Sequence, residues 1–415
     1  MSNRRVAITG MGIVSSAGIG VSNFWDSLRE GRSGVRYLKA FDQSSFANPF
    51  AGEVSEFDPK EFMDIRSARR NGRATQFAIA AAQLALKDSA LDVNLVDKDR
   101  VGVVIGSSVG NLGFAEQQYH IILEKGFRKA NPFIMTSTHP SSFSGHISVL
   151  FGFHGITETI HTACSSGASA IGLAYRYIRN GYADIMLAGG AEAPITPFVV
   201  GSFSLIDGIL SQRKSDPSKA MRPFSADRDG LVLGEGSAVL ILEDYDRAMV
   251  SGRRIYSEII GYGTTSDGFH RMVQAPDGDQ YARAIGLSLQ EAGIGAGDVD
   301  YVIPHASATS RNDPAETGVI KKALGARAYE IPISATKPIT GHTLGACGAF
   351  EAVAMNLCIV NAFVHPTINY TTSDAECDLD YAPISGRKAQ ISIGLSINCG
   401  FGGVNTAILF KATNA

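Results

Sequence analysis

A faint internal repeat restricts the fold of this chain more than any single motif does. Residues 81–108, AAQLALKDSALDVNLVDKDRVGVVIGSS, run helix, turn, apolar strand. Residues 283–307, RAIGLSLQEAGIGAGDVDYVIPHAS, run through the same series. Downstream of each lies a helix that starts on small residues, CSSGASAIGLAYRYI (164–178) and GACGAFEAVAMNLCI (345–359). Each half then closes on a glycine-rich turn into a hydrophobic strand, GEGSAVLILED (234–244) and GFGGVNTAILFKA (400–412). The alternation of apolar strands with alanine-rich helices predicts an α/β protein with a mostly buried sheet. Three matched elements in one order predict two halves, 1–250 and 251–415; the competing reading is chance likeness between α/β segments.

At 415 residues and 45% hydrophobic content the chain can bury a large core. Its net charge of −3 supplies no global basic field for nucleic acid or a membrane surface, so an acidic partner must meet a local patch. No apolar run reads as a bilayer span and MSNRRVAITGMG leads directly into a strand, so neither an anchor nor a signal peptide is expected. The five cysteines (164, 347, 358, 377, 399) are odd in number and form no CxxC pair. That favours a reducing compartment, by default the cytoplasm, over a disulfide scaffold, and no metal site is expected.

Cys164 sits where the strand-like ITETIHTA meets the small-residue helix. A helix start offers free N–H groups and partial positive charge, which favour a thiolate and can cradle an oxyanion. A sharp strand-to-helix turn would expose the sulfur as hydrolases expose their nucleophile. The stretch alone fits a buried structural cysteine equally well. Two histidines shift the balance. His305 ends the run YVIPH and His342 lies in SATKPITGHTLGACG, both at strand ends or loops beside small residues. A cysteine with two such histidines can be a nucleophile and two donors for a developing oxyanion. Lys337 either supports the pair electrostatically or is a surface lysine, and His161 is expected to pack below the site.

With TACSSG, with HASAT followed by ND and Glu316, and with SATKPITGHTLGACGA, the chain resembles the elongating β-ketoacyl-ACP synthases of type II fatty acid and polyketide pathways. The likeness is to the KAS II type and runs from RRVAITGMGIVSSAGIG to GFGGVNTAILF, essentially the whole chain. It implies the thiolase fold, a duplicated αβαβα layering of two similar halves with mixed five-stranded sheets. It also implies an acyltransferase performing a decarboxylative Claisen condensation. Cys164 would carry the acyl chain, His305 and His342 would hold the malonyl thioester, and Lys337 would support them. The N–H groups of Cys164 and Phe401 would form the oxyanion hole, with Phe401 also a gate on a glycine loop. Asp313 and Glu316 match the family's supporting acids, Ser307 and Thr309 its phosphopantetheine-binding threonines, and Val109 and Phe203 its acyl pocket. No cofactor is implied beyond the phosphopantetheine on which an acyl carrier protein delivers substrates. The implied assembly is a homodimer, or a heterodimer with a chain-length-factor paralogue.

The chain departs from that family where His305-Ala306-Ser307 replaces the usual His-Gly-Thr, and at Ile397, Cys399 and Val404, where Asn, Phe and Thr are common. These changes reshape the pocket wall and lean toward a polyketide-type pathway; the small Val109 leaves room for a chain. Two basic segments match carrier-docking regions: Arg66, Arg69, Arg70 and Arg73 in one, Lys125, Arg128 and Lys129 in the other. Each is otherwise a solvated charged face, and Asp207 stands where many relatives carry an arginine. Four alternatives compete. An initiating synthase of the short-chain type would carry Asn where His342 stands. A thiolase would use Cys399 as a second cysteine, but the Lys337/His342 motif belongs to the synthases. A chain-length factor would lack Cys164. A non-catalytic carrier-binding subunit would keep these residues only by descent.

Overall fold

Residues 3–42, 46, 48–213 and 215–413 are described by the structure, a computed structural model. The apolar runs become nine strands of one sheet: β1 (Val6–Ser15), β2 (Val101–Gly106), β3 (Thr157–Ile160), β4 (Ile185–Glu192), β5 (Gly236–Asp244), β6 (Ser257–Ser266), β7 (Tyr301–Ile303), β8 (Ile393–Gly400) and β9 (Val404–Lys411). Every residue of β1, β2 and β4 is buried, the pattern of strands covered on both faces.

The strand order is β7-β8-β9-β6-β1-β5-β4-β2-β3, with the two-residue strand Gly18–Ile19 hairpinned onto β1. In the first half β1 lies beside β5, β5 beside β4, and the parallel strands β4, β2 and β3 follow. In the second half β6 lies beside β9, β9 beside β8, and β8 runs parallel to β7. The two orders correspond strand for strand. The second half's counterpart of β3 shrinks to a single parallel bridge between Val302 and Ile333. The halves are not separate sheets of five strands, as the resemblance implied. Val6–Ile8 of β1 pair with Ser257–Ile259 of β6 and fuse them edge to edge.

Helices complete the layers. Helix α1 (Arg73–Ser89) covers the outer face of the first half; α3 (Asp279–Ala292) and α4 (Asn312–Leu324) cover that of the second. Between them, α2 (Ser166–Arg179) and α5 (Cys347–Asn361) pack together in a core shared by strands of both halves. Small residues permit this closeness. A Cβ on Gly12 of β1 would fall 2.0 Å from the Ala81 carbonyl oxygen of α1. The α5 stretch, Leu344–Asn361, is long and apolar enough to cross a membrane, a run the sequence reading passed over, and 89% of it is buried inside the protein.

Candidate active site

Helices α2 and α5 begin at the same place, and their starts bring the reactive groups together. The chain leaves β3, turns through Ala163 in the left-handed region (φ 51°) and enters α2 just after Cys164. A left-handed alanine costs about 1 kcal/mol or more, so the turn must be held. Its own hydroxyls hold it: Ser165 Oγ donates to Thr162 O (2.7 Å), Ser166 Oγ lies 2.6 Å from Ala163 O, and Thr162 N–H donates to Ser166 Oγ (2.9 Å). Gly400 closes over the turn so tightly that a Cβ there would be 2.9 Å from Cys164 N. The N–H of Phe401 reaches the thiol sulfur.

Cys164 Sγ and one ring nitrogen each of His305 and His342 lie within 4.8 Å of one another, and all three residues are buried. The imidazoles meet edge to face, with centroids 5.2 Å apart. Their hydrogen bonds define which nitrogen carries the proton. His342 Nδ1 accepts Leu344 N–H (3.0 Å), and Cys347 Sγ lies 3.4 Å from the same nitrogen. The neutral ring therefore keeps its proton on Nε2. His305 Nδ1 faces the Asn398 amide nitrogen at 3.5 Å, while that nitrogen also donates to Glu351 (2.5 Å), which gives His305 the same tautomer. Burial holds both histidines well below the usual imidazole range, with Lys337 adding to the effect. Two neutral N–H donors thus sit beside one sulfur. The triad also has the spread of a metal site, and the buried Lys337 ammonium beside it works against a cation there.

Lys337 is fully buried and donates to the His305 carbonyl oxygen and to Glu351. Burial opposes its charge, but Cys347, Glu351 and Glu316 outweigh that and hold its pKa above the ordinary lysine range. The surface-lysine reading is thereby corrected. Glu316 accepts the backbone N–H groups of His305 (2.6 Å) and Ala306 (2.7 Å), and Asp313 accepts those of Ala308 (3.1 Å) and Phe224 (2.8 Å). Burial pushes these acids up, to about 7 and about 6. The thiolate expectation for Cys164 does not hold in this state. Burial raises its pKa far above the usual thiol value, against the pull of Lys337 and the Phe401 N–H, so the thiol is protonated.

The remaining candidates fall into place around this centre. Ser307 and Thr309 hydrogen-bond each other (3.0 Å) on the loop after His305. Val109 and Phe203 pack against the apolar cluster that contains Cys164, Ile195, Val200 and Leu344. Phe401 is 36% exposed on the glycine turn. Cys399 is turned toward Asn312 Oδ1 (3.5 Å). Arg66, Arg69 and Arg70 are exposed on the helix Ile65–Arg70, and Arg128 and Lys129 on the turn Phe127–Lys129. The two segments adjoin: Asn131 donates to Arg69 O (2.8 Å), and Arg70 stacks over Phe133 (4.4 Å). Arg73 does not belong with them. Its guanidinium forks onto the buried Glu235 (2.7 and 3.0 Å), because that acid needs a counter-charge. His161, expected to pack below the site, is instead exposed.

Around the site, three buried polar residues lie outside the motifs: Glu351, Asn398 and Glu192. Glu351 is the lone charge in the apolar run of α5 and Glu192 the lone charge ending β4. A single acid in an otherwise apolar element was the available signal.

Comparison with known proteins agrees with this geometry. Residues 3–248 match the family model "Beta-ketoacyl synthase, N-terminal domain" and residues 256–371 "Beta-ketoacyl synthase, C-terminal domain". The chain is 41% identical over 411 residues, 99% of each protein, to "3-oxoacyl-[acyl-carrier-protein] synthase 2" of Synechocystis sp.. In structure it is similar to a type II PKS ketosynthase solved in complex with its acyl-carrier protein and bound to the hexaketide (TM-score 0.92, 36% identity, 99% and 100% of the two chains covered). It is also similar to the ishigamide ketosynthase/chain length factor (TM-score 0.93, 31% identity, 100% of both chains covered). The thiolase fold is shared with these neighbours, and with a cysteine and two histidines brought to one point by its duplicated halves, this chain belongs to the β-ketoacyl synthase family.

Proposed function

We propose that the protein condenses an acyl chain carried on Cys164 with the malonyl group of a malonyl acyl carrier protein. The observation that carries this reading is the convergence of two neutral N–H histidines on one thiol beneath the Phe401 N–H. In the first half-reaction Cys164 sulfur attacks the acyl thioester carbonyl. The oxyanion takes the N–H groups of Cys164 and Phe401, and the cysteine proton leaves with the carrier's thiol. In the second, malonyl thioester enters with its carbonyl oxygen against the Nε2–H groups of His305 and His342. Loss of CO₂ leaves its electron pair on the enolate, whose oxygen those donors stabilise. The enolate carbon attacks the acyl-Cys carbonyl, a C–C bond forms, the C–S bond breaks, and the released thiolate is reprotonated.

In this reading Lys337, Glu351, Glu316 and Asp313 hold the histidines, and Ser307 and Thr309 bond the phosphopantetheine arm. That arm is the only group required besides the protein. Arg66, Arg69, Arg70, Arg128 and Lys129 form the docking face for an acidic carrier. The chain works as a dimer through the open edge of β3 and exposed apolar residues near it such as Val149 and Leu150, with an identical copy or a chain-length-factor paralogue. Five unpaired cysteines fit a cytoplasmic setting. Replacing Cys164→Ala tests the reading: intact mass should show no acyl-enzyme while carrier binding survives, and continued condensation would overturn it. His342→Ala should slow malonyl decarboxylation while Cys164 still acylates.

A further inference from the structure

Glu192, at the end of β4, belongs to none of these roles, yet it is fully buried and takes five donors. Its Oε1 accepts Ser107 Oγ–H (3.0 Å) and the N–H groups of Val109 (3.1 Å) and Gly110 (3.2 Å). Its Oε2 accepts Ser108 N–H (2.6 Å) and, from the other half of the molecule, Gly345 N–H (2.9 Å). One carboxylate therefore ties the loop that carries Val109 to the loop that carries His342. The two loops also touch directly: a Cβ on Gly345 would fall 2.3 Å from Ser108 N.

The residue between His342 and Gly345 that matters is Leu344. Its backbone is in the left-handed region (φ 42°), a costly state for a bulky side chain that persists only where surroundings enforce it. Its N–H is the donor that fixes the proton of His342 on Nε2. The next N–H, Gly345, is the one Glu192 grips. Release of that grip lets Leu344 relax and withdraws the donor from His342. Leu344 and Val109 also pack against the same apolar cluster as Cys164, so a chain seated on the sulfur presses on both loops.

We propose that Glu192 is a positioning residue that couples seating of the acyl chain against Val109 to the orientation of His342. This rests on the condensation reading above. It makes decarboxylation respond to what Cys164 already carries, so malonyl is not wasted on an empty or wrongly loaded site.

The test compares CO₂ release from malonyl carrier by enzyme preloaded with an acetyl or an octanoyl group on Cys164, with loading itself followed by intact mass. In the parent, the octanoyl form should release CO₂ about tenfold faster. Glu192→Gln should load both chains at close to the parent rate but lose the difference between them, with the faster rate falling about tenfold. Equal rates for both chains in the parent, a preserved difference in Glu192→Gln, or a parallel loss of loading and CO₂ release would each overturn the proposal. If Glu192→Gln does not fold, Ser107→Ala, which removes one donor from Oε1, should narrow the difference about threefold, and an unchanged difference overturns it. A parent that never loads Cys164 instead refutes the condensation reading, and the coupling falls with it.

Discussion

Several residues at the site occupy backbone states that their side chains resist. Ala163, Ala306, Ala308 and Leu344 all have positive φ, and each sits within three residues of Cys164, His305 or His342. The strain is met by backbone hydrogen bonds: Ala306 and Ala308 donate to buried carboxylates, Leu344 to the His342 ring, and Ala163 accepts from a serine hydroxyl. Ala306 shows the balance most plainly. Its φ of 50° suits glycine, its N–H is held by Glu316, and its Cβ is wholly buried. Ala306→Gly removes the left-handed penalty of about 1–2 kcal/mol and adds about 0.5–1 kcal/mol of unfolded-state entropy. The variant should gain about 0.5–1 kcal/mol, read as a higher urea midpoint at unchanged slope. A lower midpoint would mean that contacts of the alanine methyl outweigh the backbone strain.

At the scale of elements, the paired helices α2 and α5 set the geometry, since Cys164 and His342 lie just ahead of their first turns. Their approach depends on Gly348, where a Cβ would fall 2.6 Å from both the Cβ and the N of Ala168. Gly348→Ala forces the helices apart and should cost about 1–3 kcal/mol, with acylation of Cys164 impaired even in the folded fraction. Urea unfolding measures the first and intact mass on the refolded protein the second; full acylation at parental stability would show that the contact yields. The match between the two helix starts was legible in advance, because CSSGASAIG and GACGAFEAV carry the same small residues at the same place in each half, but their packing against each other was not. Cys164, His305, Lys337 and His342 were legible for a similar reason: their chemistry is written in short local motifs. What stayed hidden was long-range. Glu351 and Asn398 matter through partners far along the chain, Arg73 is claimed by Glu235 162 residues away, and the fusion of the sheets rests on three pairs between β1 and β6. Local pattern carries no register for such pairs.

At the scale of the whole molecule, burial of titratable groups makes stability depend on pH in two opposing ways. Glu192 and Glu316, raised to about 7, bind protons in the folded state that the unfolded chain releases. Their contribution to stability is present below about 4.5 and is lost as pH rises through 7. The buried histidines act in the other direction. His365 lies wholly inside the second half, between Ser334 Oγ (3.1 Å) and Pro366 O (3.1 Å), and burial lowers it to about 4. It stays neutral when folded and takes a proton when unfolded. Stability is therefore full above the ordinary imidazole pKa of about 6.5 and falls by about 3 kcal/mol as pH drops to 4. His305 and His342, also lowered, act in the same sense. Through pH 4.5–6.5 histidines and acids partly cancel; below that range the acids are protonated in both states and the histidines dominate. His365→Asn isolates one proton of this balance. Urea unfolding from pH 4 to 8 should show its acid limb shallower than the parent's by up to about 1.4 kcal/mol per pH unit, with the two curves parallel above pH 7. Parallel curves throughout would mean that His365 is protonated alike in the folded and unfolded chains.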